Sequence, residues 1–348
     1  MRGMKSVLLL VLSLSLLLVP WSTGASTTVE AAPAFAKGAD ISWVAGMEAQ
    51  GYTWKNKQGV QKDVLQILRD DYQIDSVRIR VWVNPNMSDY ASGYMNADKA
   101  TELAARAKKL GMSVMLTLHY SDSWADPGKQ NKPYAWRNHN FQQLMDAVWS
   151  HTVYVMNTMK NKGVTPDWVQ IGNETSDGML WPDGRASQNM KNYAWLVNTG
   201  HNAVKSVSSS TKTIVHLATG EDRALYEWNI GGLIDNGANF DMVGMSLYPS
   251  KSDWQSKVNQ TIQNANNVIS KYKKDVVISE IGLEYNEAAA AKSFISDIKQ
   301  KVRNLSGGRG KGVFYWEPAA TPGYNGGYNK GAWGTDGRPT QALEGFLN

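Results

Sequence analysis

The chain has 348 residues, 42% of them hydrophobic and 19% charged, with 14 Trp, 15 Tyr and no Cys. That apolar content is ample for a core, and the charge density is ordinary, which excludes a disordered chain, a collagen-like repeat and a polytopic membrane protein. The absence of Cys excludes disulfides, thiolate metal ligation and a cysteine nucleophile, and a net charge of +5 with no basic run beyond Lys271 to Lys274 does not suit a nucleic-acid binder.

Arg2 and Lys5 precede an apolar run from Val7 to Val19, then Pro20 and small residues ending in Ala25. This is the pattern of a secretory signal peptide. The run is too short to cross roughly 30 Å of hydrocarbon as a helix, so export without a membrane anchor is expected. Cleavage is expected after Ala25, with Ala36 as the alternative, leaving one domain over 37–348; no Pro/Ser/Gly linker or repeat divides it.

Along that domain, β-rich runs alternate with stretches of helical spacing. Strands are expected at Ala39 to Val44, Ser76 to Val83, Ser113 to His119, Trp168 to Gly172, Thr213 to Ala218, Met242 to Leu247, Val276 to Ser279 and Gly312 to Trp316. Apolar stripes at helical spacing begin at Val60 with Val64, Leu65 and Leu68, and recur at Ala100 to Leu110, Phe141 to Met159, Ala194 to Val204, Leu225 to Ile234, Val258 to Ile269 and Ala291 to Val302. Gly111 and Gly163 stand where helix C-caps belong. Eight such strands with intervening helices predict an α/β fold, a single (β/α)8 TIM barrel. A doubly wound sheet is second, for want of a Gly-x-Gly-x-x-Gly after the first strand.

Chemistry in such a barrel lies at the C-terminal strand ends. Glu174 closes the fourth strand and Glu280 the seventh, so both face one cavity. Paired carboxylates of this kind, one protonated and one ionised, are what glycoside hydrolysis needs. Asn173 is placed to bond a sugar hydroxyl, Arg80 to hold a neighbouring carboxylate ionised, Tyr248 to steady the nucleophile and Trp316 to lie under the reacting sugar. For Trp124, Trp136, Trp181 and Trp333, packing and sugar stacking are both open; Trp124 and Trp181 are counted among the expected substrate contacts. His119 reads as a hydrogen-bonded pocket residue rather than a metal ligand, because no second His stands at ligand spacing. Asp122 and Asp126 are expected to brace a long loop, and His139, His151, His201 and His216 to be structural.

These residues resemble glycoside hydrolase family 53, the arabinogalactan endo-β-1,4-galactanases of clan A. The likeness is carried by Lys37-Gly-Ala-Asp-Ile-Ser42, Val77-Arg-Ile-Arg-Val-Trp82, the loop from His119 to Gln130, the stretch from Gly172 to Pro182 and Gly312-Val-Phe-Tyr-Trp-Glu-Pro318. The resemblance implies a barrel and retaining, endo-acting cleavage of β-1,4-galactan and type I arabinogalactan. It also implies Glu174 as acid/base and Glu280 as nucleophile, with Arg80, His119, Asn173, Tyr248 and Trp316 around the scissile bond. Retention implies carboxyls about 5 to 5.5 Å apart. No cofactor or metal is expected, since Tyr285 leads directly into a helix start where some bacterial members carry a calcium loop. The partners expected are the polysaccharide alone, for a monomer outside the cell. Two departures stand out: His216-Leu-Ala-Thr-Gly-Glu-Asp222 lacks an acidic residue directly after His-Leu, which puts Glu221 or Asp222 forward as a substitute, and Glu284 lies close enough to Glu280 to be mistaken for the nucleophile. A clan A mannanase or other β-glycanase, and a non-catalytic sugar-binding barrel, remain alternatives.

Overall fold

The computed structural model describes residues 32–347. The expected signal segment, 1–25, lies outside them. Among the described residues no helix is long and apolar enough to cross a membrane.

Eight parallel strands close on themselves: β1 (Ala36–Asp40), β2 (Ser76–Val81), β3 (Ser113–Leu118), β4 (Trp168–Ile171), β5 (Lys212–Leu217), β6 (Met242–Leu247), β7 (Asp275–Ile281) and β8 (Gly310–Tyr315). Each pairs with its successor, and β1 also pairs with β8, so no strand edge is left for a foreign strand to join. Around this ring lie α1 (Val64–Tyr72), α2 (Ala97–Lys109), α3 (Phe141–Asn161), α4 (Met190–Val207), α5 (Arg223–Asp235), α6 (Trp254–Tyr272) and α7 (Ala288–Arg303). A terminal 3-10 segment, Gln341–Phe346, packs on α7 in the place of an eighth helix.

The helix limits follow from side-chain chemistry. Asp63 caps α1 by accepting from the backbone N–H groups of Leu65 (2.8 Å) and Gln66 (3.2 Å). At α3, Asn140 and Gln143 exchange bonds in a capping box. Gly111 and Gly163 follow α2 and α3 with left-handed φ of 73° and 75°, as their expected capping role requires.

Two expected elements need correction at their edges. The first strand stops at Asp40, not Val44, because the Asp40 carboxylate accepts from both the backbone N–H and the hydroxyl of Ser42 (3.0 and 2.6 Å) and turns the chain. A short helix, Val44–Ala49, then begins within the stretch expected to be extended. Val60 is no part of a helical stripe: it is 54% exposed in the turn of a small hairpin, Trp54–Lys55 with Gln61–Lys62.

Alternation along the strands sorts the side chains into two worlds. Val77, Ile79 and Val81 point outward into the helix layer, while Ser76, Arg78 and Arg80 point into the barrel. The lowest interior layer is apolar, built from Ala36, Met115, Trp168, Ile214, Met242, Val277 and Phe314. Above it the interior turns polar, with Arg78, Thr117, Gln170, His216 and Ser279 all buried. An apolar floor under a polar upper layer leaves the mouth as the place where charge can reach solvent.

Gly38 on β1 makes this layering possible: a Cβ there would sit 2.0 Å from Cδ1 of the Phe314 ring. Gly38→Ala is therefore expected to cost about 1–3 kcal/mol through overpacking. A chemical denaturation midpoint should show that loss, and adding Phe314→Leu should recover much of it; full stability in Gly38→Ala alone would contradict the layering.

Candidate active site

The site is assembled around Arg78, which is buried in the barrel with every nitrogen of its guanidinium committed. Nε donates to Gln170 Oε1 (2.7 Å), Nη1 to Asp40 Oδ2 (2.6 Å) and Nη2 to Asn173 Oδ1 (2.7 Å), while Nη2 also forms an ion pair with Glu280 Oε1 (2.8 Å). Gln170 is fixed in turn, donating to Ser279 Oγ (3.0 Å) and accepting from the Thr117 hydroxyl. One arginine thus ties β1, β2, β4 and β7 together.

Glu280 reaches this arginine because β7 carries a bulge. Met245 pairs with Ile278 but Ser246 pairs with Glu280, so Ser279 is an extra residue. Both Ser279 and Glu280 then face the interior, which regular alternation forbids. The Tyr248 hydroxyl donates to Glu280 Oε2 (2.6 Å). Burial pushes the Glu280 carboxyl above its ordinary range, while Arg78 and Tyr248 act against that shift. The Arg78 charge and the Tyr248 hydrogen bond both favour the ionised form over the protonated one.

Glu174 follows β4 in a left-handed conformation, φ 45°, two residues after Gly172 at φ 85°. For a non-glycine residue that conformation costs on the order of 1–3 kcal/mol. Its backbone N–H donates to His216 Nδ1 (3.4 Å), and His216 Nε2 lies 2.8 Å from Ser246 Oγ. Burial, followed by the negative charge of Glu280, pushes the Glu174 carboxyl up to about 8, against the opposing effects of Ser246 and Arg78. At neutral pH Glu174 keeps its proton. His119 and His216 are held well below 6.5 by burial and then by Arg78, so both are neutral.

These carboxyls share a pocket of about 240 Å³ with Arg78, Arg80, His119, Asn173, Tyr248, Trp124 and Trp316. His119 Nδ1 accepts from the Ala125 N–H (3.3 Å), and Asn173 Nδ2 donates to the Ala125 carbonyl (2.9 Å). The loop from His119 to Gln130 is therefore pinned to the barrel by its own pocket residues. Asp122 braces that loop by accepting from Asn84 N and Tyr134 N (3.0 and 2.8 Å), and Asp126 braces it by accepting from Gly128 N (2.9 Å) while also lining the pocket.

Arg80 stands two residues beyond Arg78 on the same inner face; it lines the pocket and pairs with a neighbouring carboxylate, that of Glu317 (2.6 Å). The carboxyl of Glu280 is met by Arg78, which the sequence did not single out. The sequence offered both arginines, and only the register of β2 against β1 and β3 distinguishes them. Trp181 does not line this pocket; its indole lies under Arg185, with 4.5 Å from the guanidinium carbon to the ring centre. Trp136 and Trp333 are buried. Glu284 is engaged by Lys330 and Asn329, away from the pocket. Asp222 caps α5 through Leu225 N (3.0 Å) and Glu221 pairs with Lys257 (3.1 Å), so neither replaces an acidic pocket residue. Asp40 and Ser246, which support the pair from beneath, carried no signal in the sequence beyond their place on strands.

Cleaving a glycosidic bond calls for one carboxyl that still has its proton and another that has lost it, both beside a single anomeric centre. The mouth of this barrel meets that demand, which places the protein among the glycoside hydrolases. A model described as Glycosyl hydrolase family 53 matches residues 36–346, and the chain belongs to that family. Relatives include a probable arabinogalactan endo-β-1,4-galactanase A of Aspergillus fumigatus, 34% identical over 81% of this chain and 83% of that one. An arabinogalactan endo-β-1,4-galactanase of Thermothelomyces thermophilus is 33% identical over 81% and 89%. Among solved structures, a fungal β-1,4-galactanase superposes with a TM-score of 0.81 at 29% identity, covering 90% of this chain and 99% of that one. The GH53 catalytic domain of Ignisphaera aggregans gives 0.79 at 29%, covering 90% and 96%.

Two titrations follow from this electrostatic arrangement. Carboxyl NMR should find Glu174 near 8, and Glu280→Gln, which removes a charge that raises it, should bring it down while burial keeps it above 4.5. A carboxyl raised by folding costs stability as pH climbs from 4.5 to about 8. Glu174→Gln should therefore leave Tm unchanged at pH 4 and raise it by several degrees at pH 8; equal shifts at both values would contradict a raised Glu174.

Proposed function

We propose that the protein is a secreted, retaining endo-β-1,4-galactanase that cleaves galactan and type I arabinogalactan by double displacement. The observation that carries this reading is the split between the two carboxyls: Glu280 is surrounded by donors to its ionised form, and Glu174 is held protonated to about 8. Galactan as the substrate is supported by the names of relatives that align over most of both chains. Export is supported by the charged, apolar and small-residue order of 1–25.

In the first step a Glu280 oxygen attacks the anomeric carbon while Glu174 gives its proton to the departing glycosidic oxygen. The aglycone leaves as an alcohol and Glu280 becomes a glycosyl ester. Esterification removes the Glu280 charge, which is one of the causes of the high Glu174 pKa, so Glu174 is then stable as a carboxylate. In the second step it takes a proton from water, the hydroxide oxygen attacks the anomeric carbon, and the ester bond breaks to return Glu280. Two inversions leave the β configuration intact. Arg78 and Tyr248 hold Glu280 in line, and Trp316 and Trp124 provide apolar faces for the sugar.

Purified mature protein should release reducing ends from linear β-1,4-galactan, and Glu280→Gln should lower kcat by about 10³-fold or more, as expected for removal of a group that acts in the transition state. Proton NMR at early time should show β-anomer product, while an α product would refute double displacement. Rate against pH should be bell-shaped, with the alkaline limb near 8 where Glu174 loses its proton and the acid limb where Glu280 gains one.

A further inference from the structure

The outer helical wall carries a second concavity. Between α5, α6 and the first residue of α4 lies a cavity of about 460 Å³, larger than the pocket at the barrel mouth and sharing no residue with it. Its size falls in the range of small-molecule sites, roughly 300–1,000 Å³.

One face of α5 forms its base, and that face breaks three local rules. Trp228 leaves 43% of its surface in solvent. Gly231 and Gly232 occupy the interior of the helix, where each costs about 1 kcal/mol relative to Ala. Asp235 ends the helix, where the dipole disfavours an anion, and makes no hydrogen bond or ion pair. Spaced i, i+3, i+4 and i+7, these residues stand on one side. Gly232 is crowded by Met190, whose Cε would lie 2.6 Å from a Cβ, and Gly231 by the Tyr272 side chain, whose hydroxyl would lie at 3.0 Å, so both glycines let the helix face stay low beside the groove. The nearby Glu227 is already held by Arg223 (2.8 Å) and Asn267 (3.1 Å). Lys271 acts on the Glu227 charge, which Arg223 also pairs, so the lining carries charges of both signs and suits a neutral ligand better than an ion.

A flat apolar ring beside an open floor, with a carboxylate, an ammonium and an amide at its rim, matches a pyranose: the indole covers a CH face and the polar groups meet hydroxyls. We propose that the groove beside Trp228 is a second glycan-binding site, which holds a stretch of the neutral β-linked galactan chain outside the cleft. This rests on the galactan reading above. Anchoring one part of a polymer raises the effective concentration of its other bonds at the barrel mouth, so the benefit falls on polymer and not on short oligomers.

The test uses the full mature protein carrying Glu280→Gln, so that galactan is bound but not consumed, with affinity electrophoresis in gels containing galactan. Adding Trp228→Ala should weaken retention about fivefold, and Trp228→Phe should restore it to within about twofold, since one of two linked contacts is lost and then regained. With Glu280 intact, Trp228→Ala should leave kcat/KM on galactotetraose unchanged and lower it on polymer. Polymer retention unchanged by Trp228→Ala overturns the second site, while hydrolysis of galactan by the unmodified protein in the same experiment leaves the activity standing. Retention that depends on Trp228 in a protein unable to hydrolyse galactan supports the site and overturns the activity.

Discussion

Everything at the barrel mouth depends on a single guanidinium that has been taken out of water. Moving an arginine into a protein interior costs several kcal/mol unless its charge is matched and its donors are filled. Arg78 meets both conditions, through Asp40 and Glu280 for charge and Gln170 and Asn173 for the remaining donors. The requirement runs the other way as well. Without Arg78, Asp40 and Glu280 would lose their nearest counter-charge and keep only the more distant Arg80 (3.9 Å from Asp40), and Asn173 would lose one of the bonds that orient its amide, keeping that from its Nδ2 to the Ala125 carbonyl. The interior polar layer is better understood as a set of positions dictated by this residue than as a collection of separate contacts.

Arg80 solves a similar problem by other means. Its Nη1 pairs with Glu317, but Nε and Nη2 have no hydrogen-bond partner and are shielded from solvent. Three indoles take their place: the guanidinium carbon lies 4.5 Å from the ring centre of Trp124, 5.1 Å from Trp82 and 5.3 Å from Trp43. Cation–π attraction of this kind grows when water is excluded. The same tryptophans meet edge to face, Trp43 with Trp124 at 5.9 Å and Trp124 with Trp316 at 6.0 Å, so the charge sits beneath the aromatic wall that faces the pocket. Glu317 closes the arrangement by accepting from the Trp43 backbone (3.0 Å), at the expense of a left-handed φ of 47°.

The barrel was legible in the sequence because its signals are local. Each strand announces itself as a short β-rich run, each helix as a stripe of 3.6-residue period, and Gly111 and Gly163 fall where the chain needs left-handed caps. Glu174 and Glu280 were legible for the same reason, standing where the apolar runs end. What escaped is not local. The choice between Arg78 and Arg80 depends on inter-strand register, and the β7 bulge that turns Glu280 inward appears only against the partner strands β6 and β8. Asp40 looks like any strand-end acid until β2 lies beside it. Trp181 and Trp124 have the same chemistry and similar loop settings, yet one stacks with Arg185 and the other forms the pocket wall. Long-range placement of a loop leaves no periodic trace.

Glu174 and Glu280 are best treated as one electrostatic unit with two states. In the free protein the charge on Glu280 helps Glu174 keep a proton that the surrounding pH would otherwise remove, so under the proposed double displacement the form able to protonate a leaving group is the resting form. Any step that neutralises Glu280 withdraws that support, while burial and the Ser246 and Arg78 contacts remain. In the proposed reaction the proton affinity of Glu174 would then fall at the stage when it has just given its proton away. Ground-state placement of two carboxyls around Arg78 thereby ties the acidity of one to the charge of the other, with no movement of the backbone. A barrel is well suited to this coupling, because strands four and seven are fixed by their neighbours and the distance between the two groups cannot relax to relieve their repulsion.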